Sequence, residues 1–564
     1  MKPLRKLLSM QVTETLLNNL QETFRAYRAA DPYKDFPSVF INQAAYFLPN
    51  CTGLYSRNGL GWDPFQDILE DIGLGRWPLQ LPGNISSLGA LVGKVDAALG
   101  IFPFVDVTVK NEYESKYAVH LDVPATILKR RQTWYTSSNI TEYAVSIAKA
   151  LAALGAVSTA AETAAAAIVR LEVELEEAIS TRRFEPPPFR MRTLDKLPHG
   201  RSWNWTAYFS ALLKNFLADE EEFISVEVLA PQYLEDLPKL LDSTNATSIV
   251  HYVGYRVLVH LSPVLPDVLE DFTPLSFNGI VVGVDARLQA CARLLELVYP
   301  QGTRTFLRMS LGLPDSVLRY DTRYDAEVQE VFEDLNRHLQ MVARRTPWYD
   351  PVERVVAVEK LKGVQFTFFG TAQNLTPIAE YYNLNVPAFR GTRLLESVYN
   401  MLINSRRTYY RPQKRSKDWD NHFHVSSLSP GHEYTHGRNA LFYPFSNVAA
   451  LSLTGGGKLR ALDIPIVGAH MLRGLVAAID ERGSFIDHKL RVRGWWSRET
   501  TAKYRLIRDC FWTQYKRALE EILRDDVDLI RTIEDDIADN AIVYPLYRTS
   551  VTEEEKDLRS LPPH

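Results

Sequence analysis

Residues 431–437 read GHEYTHG, and how that stretch folds fixes the register of everything after it. Inside it, His432-Glu433-Tyr434-Thr435-His436 matches the pattern H-E-x-x-H. On a helix, histidines at i and i+4 share a face and converge on one metal ion, and the Glu between them reaches the metal-bound water as general base. The flanks argue for another geometry. Pro430-Gly431 precedes the pattern and Gly437 follows it, and both residue types break helices. Few residues separate the strand-like HFHVSSL (422–428) from the strand-like NALFYPF (439–445). That is room for a hairpin loop and too little for the three-turn helix a zinc pair needs. By position, the pattern reads as a chance match on a loop.

Outward from this zone the text is helical. Apolar residues recur at spacings of three and four in LLNNLQETFRAYRAA (16–30), EYAVSIAKALAALGA (142–156), AETAAAAIVRLEVELEEAIST (161–181) and DARLQACARLLELVY (285–299). The same spacing marks DAEVQEVFEDLNRHLQMVARR (325–345) and PVERVVAVEKLKGV (351–364). FEPPPF (184–189) breaks the pattern, RRTYYRPQKRSKD (406–418) reads as an exposed connector, and helical text resumes at Ile464. No internal repeat is visible. A chain of 564 residues exceeds what one core holds, so a mainly α protein of two lobes is expected.

With 46% hydrophobic, 11% aromatic and 23% charged residues, the chain is of the ordinary globular class and not disordered. A net charge of −4 gives no reason to expect nucleic acid or an anionic membrane as partner. The longest apolar run, residues 150–169, is mostly Ala and is broken by Glu162, Ser158, Thr159 and Thr163, so no membrane span is expected. The first twenty residues hold no apolar core long enough for a signal peptide. N-x-S/T sequons nevertheless occur at Asn50, Asn84, Asn139, Asn204, Asn245 and Asn374. Chance supplies roughly two to four, so the count leans toward a secreted glycoprotein. Asn204 lies between two tryptophans and is expected to be partly buried and bare. Three cysteines allow one disulfide and leave one thiol, which, without a leader, reads as a fragment.

Several separately spaced motifs carry a family resemblance. NALFYP (439–444), DERGSFIDHKLRVRGWW (480–496) ending in Trp495-Trp496, and DCFWTQY (509–515) resemble consecutive segments of the neprilysin and endothelin-converting-enzyme family of zinc endopeptidases. Earlier, NCTGLYSRNGLGWDPFQDILEDIGLGRWPL (50–79) and WYDPVERVVAVEKLKGV (348–364) are similar to further family motifs, so the resemblance runs from about residue 15 to about residue 550. It implies a neprilysin-like fold: a large helical lobe, placed at 1–410, and a smaller zincin-like (thermolysin-like) lobe, placed at 411–564, around a central cavity. It also implies an extracellular or ectodomain setting.

In this register the family's zinc helix falls on IPIVGAHMLRGLVAAID (464–480) and not on HEYTH. Ala469 stands at the first zinc-histidine position, His470 at the catalytic glutamate and Arg473 at the second histidine, with Gly474 following. Alanine has no ligand atom and arginine carries a permanent positive charge. The third ligand position is Asp535, a shorter carboxylate. Asp539 stands where the family keeps an acid supporting a zinc histidine, and without that histidine it reads as a helix-surface or ion-pairing acid. The family's substrate-holding Asn-Ala is matched by Ser426-Ser427. Cys51 and Cys291 match two family cysteines that pair with each other, and Cys510 matches one whose partner lies beyond residue 564.

The resemblance therefore implies a catalytically dead metalloendopeptidase homologue, a pseudoenzyme with no zinc expected, that binds a peptide or protein ligand in its cavity. The alternative is an active zinc endopeptidase carrying out proteolysis through His432, Glu433 and His436, with Asp535 or Glu534 as third ligand. A third reading is a fragment without independent function. Trp495 and Trp496 read as core packing, and His422, His424, His432 and His436 as a cluster that binds transition metals adventitiously.

Overall fold

The computed structural model describes residues 14–23, 25, 39–53, 61–83, 87–110, 118–127, 137–180, 189–191, 194–213, 225–266, 285–310, 323–368, 394–410, 427–428, 431–444, 446–447, 460–491, 493–523 and 533–560. Along the chain the helices are α1 (Val39–Thr52), α2 (Asp63–Asp71), α3 (Leu88–Leu99), α4 (Ser137–Ala153), α5 (Ser158–Ser180), α6 (Trp205–Leu213), α7 (Pro231–Ser243) and α8 (Ala246–Leu261). They continue with α9 (Ala286–Val298), α10 (Pro300–Ser310), α11 (Arg323–Arg345), α12 (Pro351–Lys362), α13 (Leu394–Tyr410), α14 (Arg460–Val476), α15 (Arg498–Leu523) and α16 (Ile533–Ser560). The strands are β1 (Asp106–Lys110), β2 (Ala118–Asp122), β3 (Phe189–Met191), β4 (Ser225–Val228), β5 (Gln365–Phe368), β6 (Glu433–Thr435) and β7 (Ala440–Tyr443). The helical periodicity of the sequence is thus realised in a mainly α chain.

The chain divides into two compact units: an N-terminal unit of residues 20–303 and 372–421, and a C-terminal unit of 1–19, 304–371 and 422–564. The chain passes between them more than once, where the sequence suggested a single cut at 410. Residues 304–371 belong with the C-terminal unit because β5 is a strand of its sheet and α11 packs on α14 and α16.

In the N-terminal unit, Ser87 caps α3 by accepting Ala90 N–H, and Gly100 ends it in the left-handed region at φ 67°. Gly93 lets α3 lie against α6, since a Cβ there would sit 2.3 Å from the Tyr208 carbonyl oxygen. A disulfide joins Cys51 on α1 to Cys291 on α9, the pairing the resemblance implied. The Ala-rich run at 150–169 is divided between α4 and α5, and no helix among the described residues is long and apolar enough to cross a membrane. On α5, Glu172 and Glu176 point inward and are fully buried. Glu172 accepts from Ile127 N at 2.5 Å and Tyr143 OH at 2.8 Å, and Glu176 accepts from the Thr126 hydroxyl. Those bonds repay the burial of acids. A four-stranded sheet runs β1-β2-β4-β3, with β2 and β4 parallel and the other pairs antiparallel.

One expectation is overturned here. Asn204 is exposed while Trp203 and Trp205 on either side are fully buried. Alternate side chains of this short approach to α6 point opposite ways, and Asn204 caps the helix by accepting Ala207 N–H at 3.1 Å.

In the C-terminal unit, α12 starts at a reciprocal cap, Asp350 accepting Glu353 N–H while Glu353 accepts Asp350 N–H. A three-stranded sheet runs β5-β7-β6, with β5 parallel and β6 antiparallel to β7. Tyr443 on β7 donates its hydroxyl to the Val467 carbonyl of α14 at 2.7 Å, which ties the sheet to that helix.

Candidate functional site

HEYTH is neither a helix nor a free loop: Glu433–Thr435 is strand β6, and His436–Arg438 is the single 3₁₀ turn that leads to β7. This corrects the expectation that HEYTH is the loop of a hairpin between 422–428 and 439–445: β6, inside HEYTH, is the first strand, and the turn falls at 436–439. Ser427 and Leu428 form a turn, and residues 422–426 lie outside those described. Asn439 closes the hairpin in the left-handed region at φ 49°, which Asn tolerates better than most residues. Its side chain spans the turn, Nδ2 donating to the Lys360 carbonyl at 2.8 Å and Oδ1 accepting from the Tyr434 hydroxyl.

In a strand the residues of H-E-x-x-H lose the shared helical face that the pattern relies on. Successive side chains alternate faces, so Glu433 points away from the face that carries Tyr434 and its flanking histidines. The rings of Tyr434 and His436 meet edge to face at 5.0 Å on that face. At about 3.3 Å per residue, the two histidine Cα atoms lie roughly 13 Å apart, too far to share one ion.

The segment 464–480 is helical to Val476, as α14, and its His470, Arg473 and Gly474 recur at i, i+3 and i+4. This face meets His432, whose ring centroid lies 5.9 Å from that of His470. Ala469 is half-buried and offers no donor atom to a metal. Arg473 forms a two-pronged ion pair with Asp539 of α16, Nε and Nη2 donating to the two carboxylate oxygens. Asp535 sits exposed in the first turn of α16, and the carboxylate that reaches α14 is Asp539. The ion-pairing reading of Asp539 thus acquires its partner, Arg473.

His432 is the residue most altered by this setting. Its imidazole is pushed down to about 4, chiefly by burial and in lesser part by the Arg473 guanidinium, with Asp539 acting in the opposite direction. Its Nδ1 is shut off from solvent with no hydrogen-bond partner among the described residues. Among those residues no group of three His, Cys, Asp or Glu side chains is placed to hold a metal ion. A zinc ion does not fit the side chains at the family's ligand positions: one methyl, one guanidinium engaged with a carboxylate, and one exposed short acid.

The substrate-holding assignment also moves. Ser426 lies outside the described residues, and Ser427 is buried, its hydroxyl accepting Arg304 Nε–H at 3.2 Å and its carbonyl accepting Ser446 N–H. Arg304 is itself buried over the Phe442 ring at 4.5 Å. A serine held in this way is not on a docking edge. Among the described residues the edges of the sheet are β5 and β6, on either side of β7.

Gly474 shows how closely α14 approaches the sheet. A Cβ there would lie 2.2 Å from Leu441 Cδ1 and 3.2 Å from His432 Cδ2. Gly474→Ala is therefore expected to destabilise the protein by about 1–3 kcal/mol through overpacking. Gly494→Ala, where nothing lies within 4 Å, should leave thermal melting unchanged.

A sequence profile of the N-terminal part of peptidase family M13 matches residues 5–369, and the chain belongs to this family, that of neprilysin and the endothelin-converting enzymes. It is 24% identical to neprilysin-1 of Trittame loki over 566 aligned residues, covering 94% of this chain and 75% of that protein. It is 25% identical to human endothelin-converting enzyme-like 1 over 342 residues, covering 56% of this chain and 42% of that protein. Zinc metalloprotease ZMP1 of Mycobacterium tuberculosis, solved with an inhibitor, superposes with a TM-score of 0.70 at 15% identity, covering 98% of this chain and 82% of that one. PepO from Lactobacillus rhamnosis gives 0.65 at 14% identity, over 94% and 81%. At such identities these structures establish the neprilysin-like fold and carry no activity across.

Proposed function

We propose that this chain is a non-catalytic member of peptidase family M13 that works outside the cell, binding peptides or a protein partner without cutting them. The observation that carries this reading is the Arg473–Asp539 pair, which fills with a cation and its counter-ion the place where the family holds a zinc histidine and the acid behind it. Without a ligand set there is no Lewis acid to polarise a carbonyl, and His470 in place of the glutamate supplies no carboxylate base. Binding is less demanding than cleavage. The outer edge of β6 offers backbone groups to which an extended peptide can add as a strand. The six sequons support the extracellular setting.

Zinc content of the purified chain, measured beside a His432→Ala, His436→Ala variant and with a mixed peptide library, tests this. We expect no stoichiometric zinc in either protein after dialysis against trace metal. The library should be recovered uncut, with some members retained by the immobilised protein. One zinc per chain that disappears in the variant, together with peptide cleavage, would overturn the proposal in favour of catalysis at HEYTH.

A further inference from the structure

We propose that Asn204 and Asn245 are the acceptors of N-linked oligosaccharide among the sequons whose side chains are described, and that Asn50 is left bare. The inference rests on the extracellular reading above. The three acceptors differ in what the amide nitrogen is doing. Asn245, Ala246 and Thr247 are all exposed, and Asn245 has extended backbone (φ −63°, ψ 134°) as the cap of α8. The cap is made by the carbonyl oxygen: Oδ1 accepts Thr247 N–H at 2.9 Å. Asn204 is likewise exposed, and its Oδ1 accepts Ala207 N–H at 3.1 Å. In both, Nδ2 is turned away from the helix it caps. Transfer of an oligosaccharide from a polyprenyl-diphosphate donor forms the Nδ2–C1 bond, breaks the C1–O bond to the diphosphate and releases one proton from Nδ2. The amide carbonyl survives that reaction, so the glycosylated Asn still caps its helix.

Asn50 lies in the last turn of α1 and is half-buried, with Nδ2 donating back to the Tyr46 carbonyl at 2.6 Å. The sequon hydroxyl is engaged as well, Thr52 Oγ1 donating to the Leu48 carbonyl at 3.0 Å. Between them, Cys51 is fully buried in its disulfide to Cys291. A saccharide on Asn50 would have to displace the Tyr46 contact beside that bridge. The helical turn also holds both acceptor groups away from the extended presentation that the transfer requires.

The test is to send the full chain into a eukaryotic secretory lumen behind an appended cleavable leader and read each site by glycopeptide mass spectrometry and amidase-sensitive gel mobility. The leader supplies entry, so the result bears on the acceptors alone, and the destination of the unaided chain is read separately. N204D and N245D keep a side-chain oxygen at each cap and remove only the acceptor. Each should lose the shift of one glycan, and N50D should run as wild type. Occupancy at Asn50, or a bare Asn204 or Asn245 in lumenal protein, would overturn the assignment.

Discussion

Asp96→Asn is expected to raise the melting temperature at pH 8 and to leave it nearly unchanged at pH 4. Asp96 lies on α3, wholly buried. Its Oδ1 accepts Phe102 N–H at 2.8 Å and its Oδ2 accepts the Tyr208 hydroxyl of α6 at 2.8 Å. Burial pushes the carboxyl up to about 7 from an ordinary 3.8, outweighing those two bonds and the more distant charges of Arg406 on α13 and Arg256 on α8. Between about 4 and about 7 the folded chain keeps a proton that the unfolded chain releases. Stability contributed by this group is therefore present at low pH and lost as pH rises through that window, by on the order of 4 kcal/mol in all. Asn retains an acceptor for Phe102 N–H and a donor toward the Tyr208 oxygen but has no proton to lose. The two melting curves should coincide at pH 4 and separate steadily toward pH 8, and curves that stay parallel would show that Asp96 is ionised throughout.

What could be read from the sequence, and what could not, follows the reach of each signal. Helices α4, α5, α9, α11 and α12 were legible because their apolar spacing is a local property, and tertiary packing agreed with it. The non-helical state of HEYTH was legible in Pro430-Gly431 and Gly437. Its strand was not, although Glu433, Tyr434 and Thr435 alternate with period two, because three residues are too few to stand out from a loop. Arg473 and Asp539 were each recognised, one as hostile to zinc and the other as an ion-pairing acid. Their pairing spans 66 positions, and no local pattern reports such a contact. The resemblance puts Ser427 on a substrate-holding edge, and only Arg304, 123 positions away, makes it a buried acceptor. The return of 304–371 to the C-terminal unit is set by strand pairing between β5 and β7, again beyond local reach.

Lys360→Ala is expected to destabilise the C-terminal unit by about 3 kcal/mol, more than any substitution at Ala469, Arg473 or Asp535. Lys360 sits in the last turn of α12, fully buried. Its ammonium donates to the Gly483 carbonyl and to the Ile486 carbonyl, the latter at 2.7 Å. Those carbonyls belong to the turn that follows α14, where Asp480 Oδ1 also accepts Gly483 N–H at 2.7 Å. Removing the side chain leaves a cavity the length of the lysine stem and one carbonyl without its donor. Gly483 O still accepts Trp495 Nε1–H at 3.0 Å, so the orphan is Ile486 O. Lys360→Met fills the stem volume but supplies no donor, and should fall between Ala and wild type. Urea unfolding followed by tryptophan fluorescence separates the three, since Trp495 reports on the same turn. Equal losses for Met and Ala would assign the whole effect to the hydrogen bonds, and an unchanged midpoint for Ala would show that the turn holds without Lys360. The contacts that fix α14 lie at its C-terminal turn, in Gly474 against Leu441 and in the Tyr443 bond to Val467, none of which needs a metal. The Arg473–Asp539 pair adds a further tie between α14 and α16.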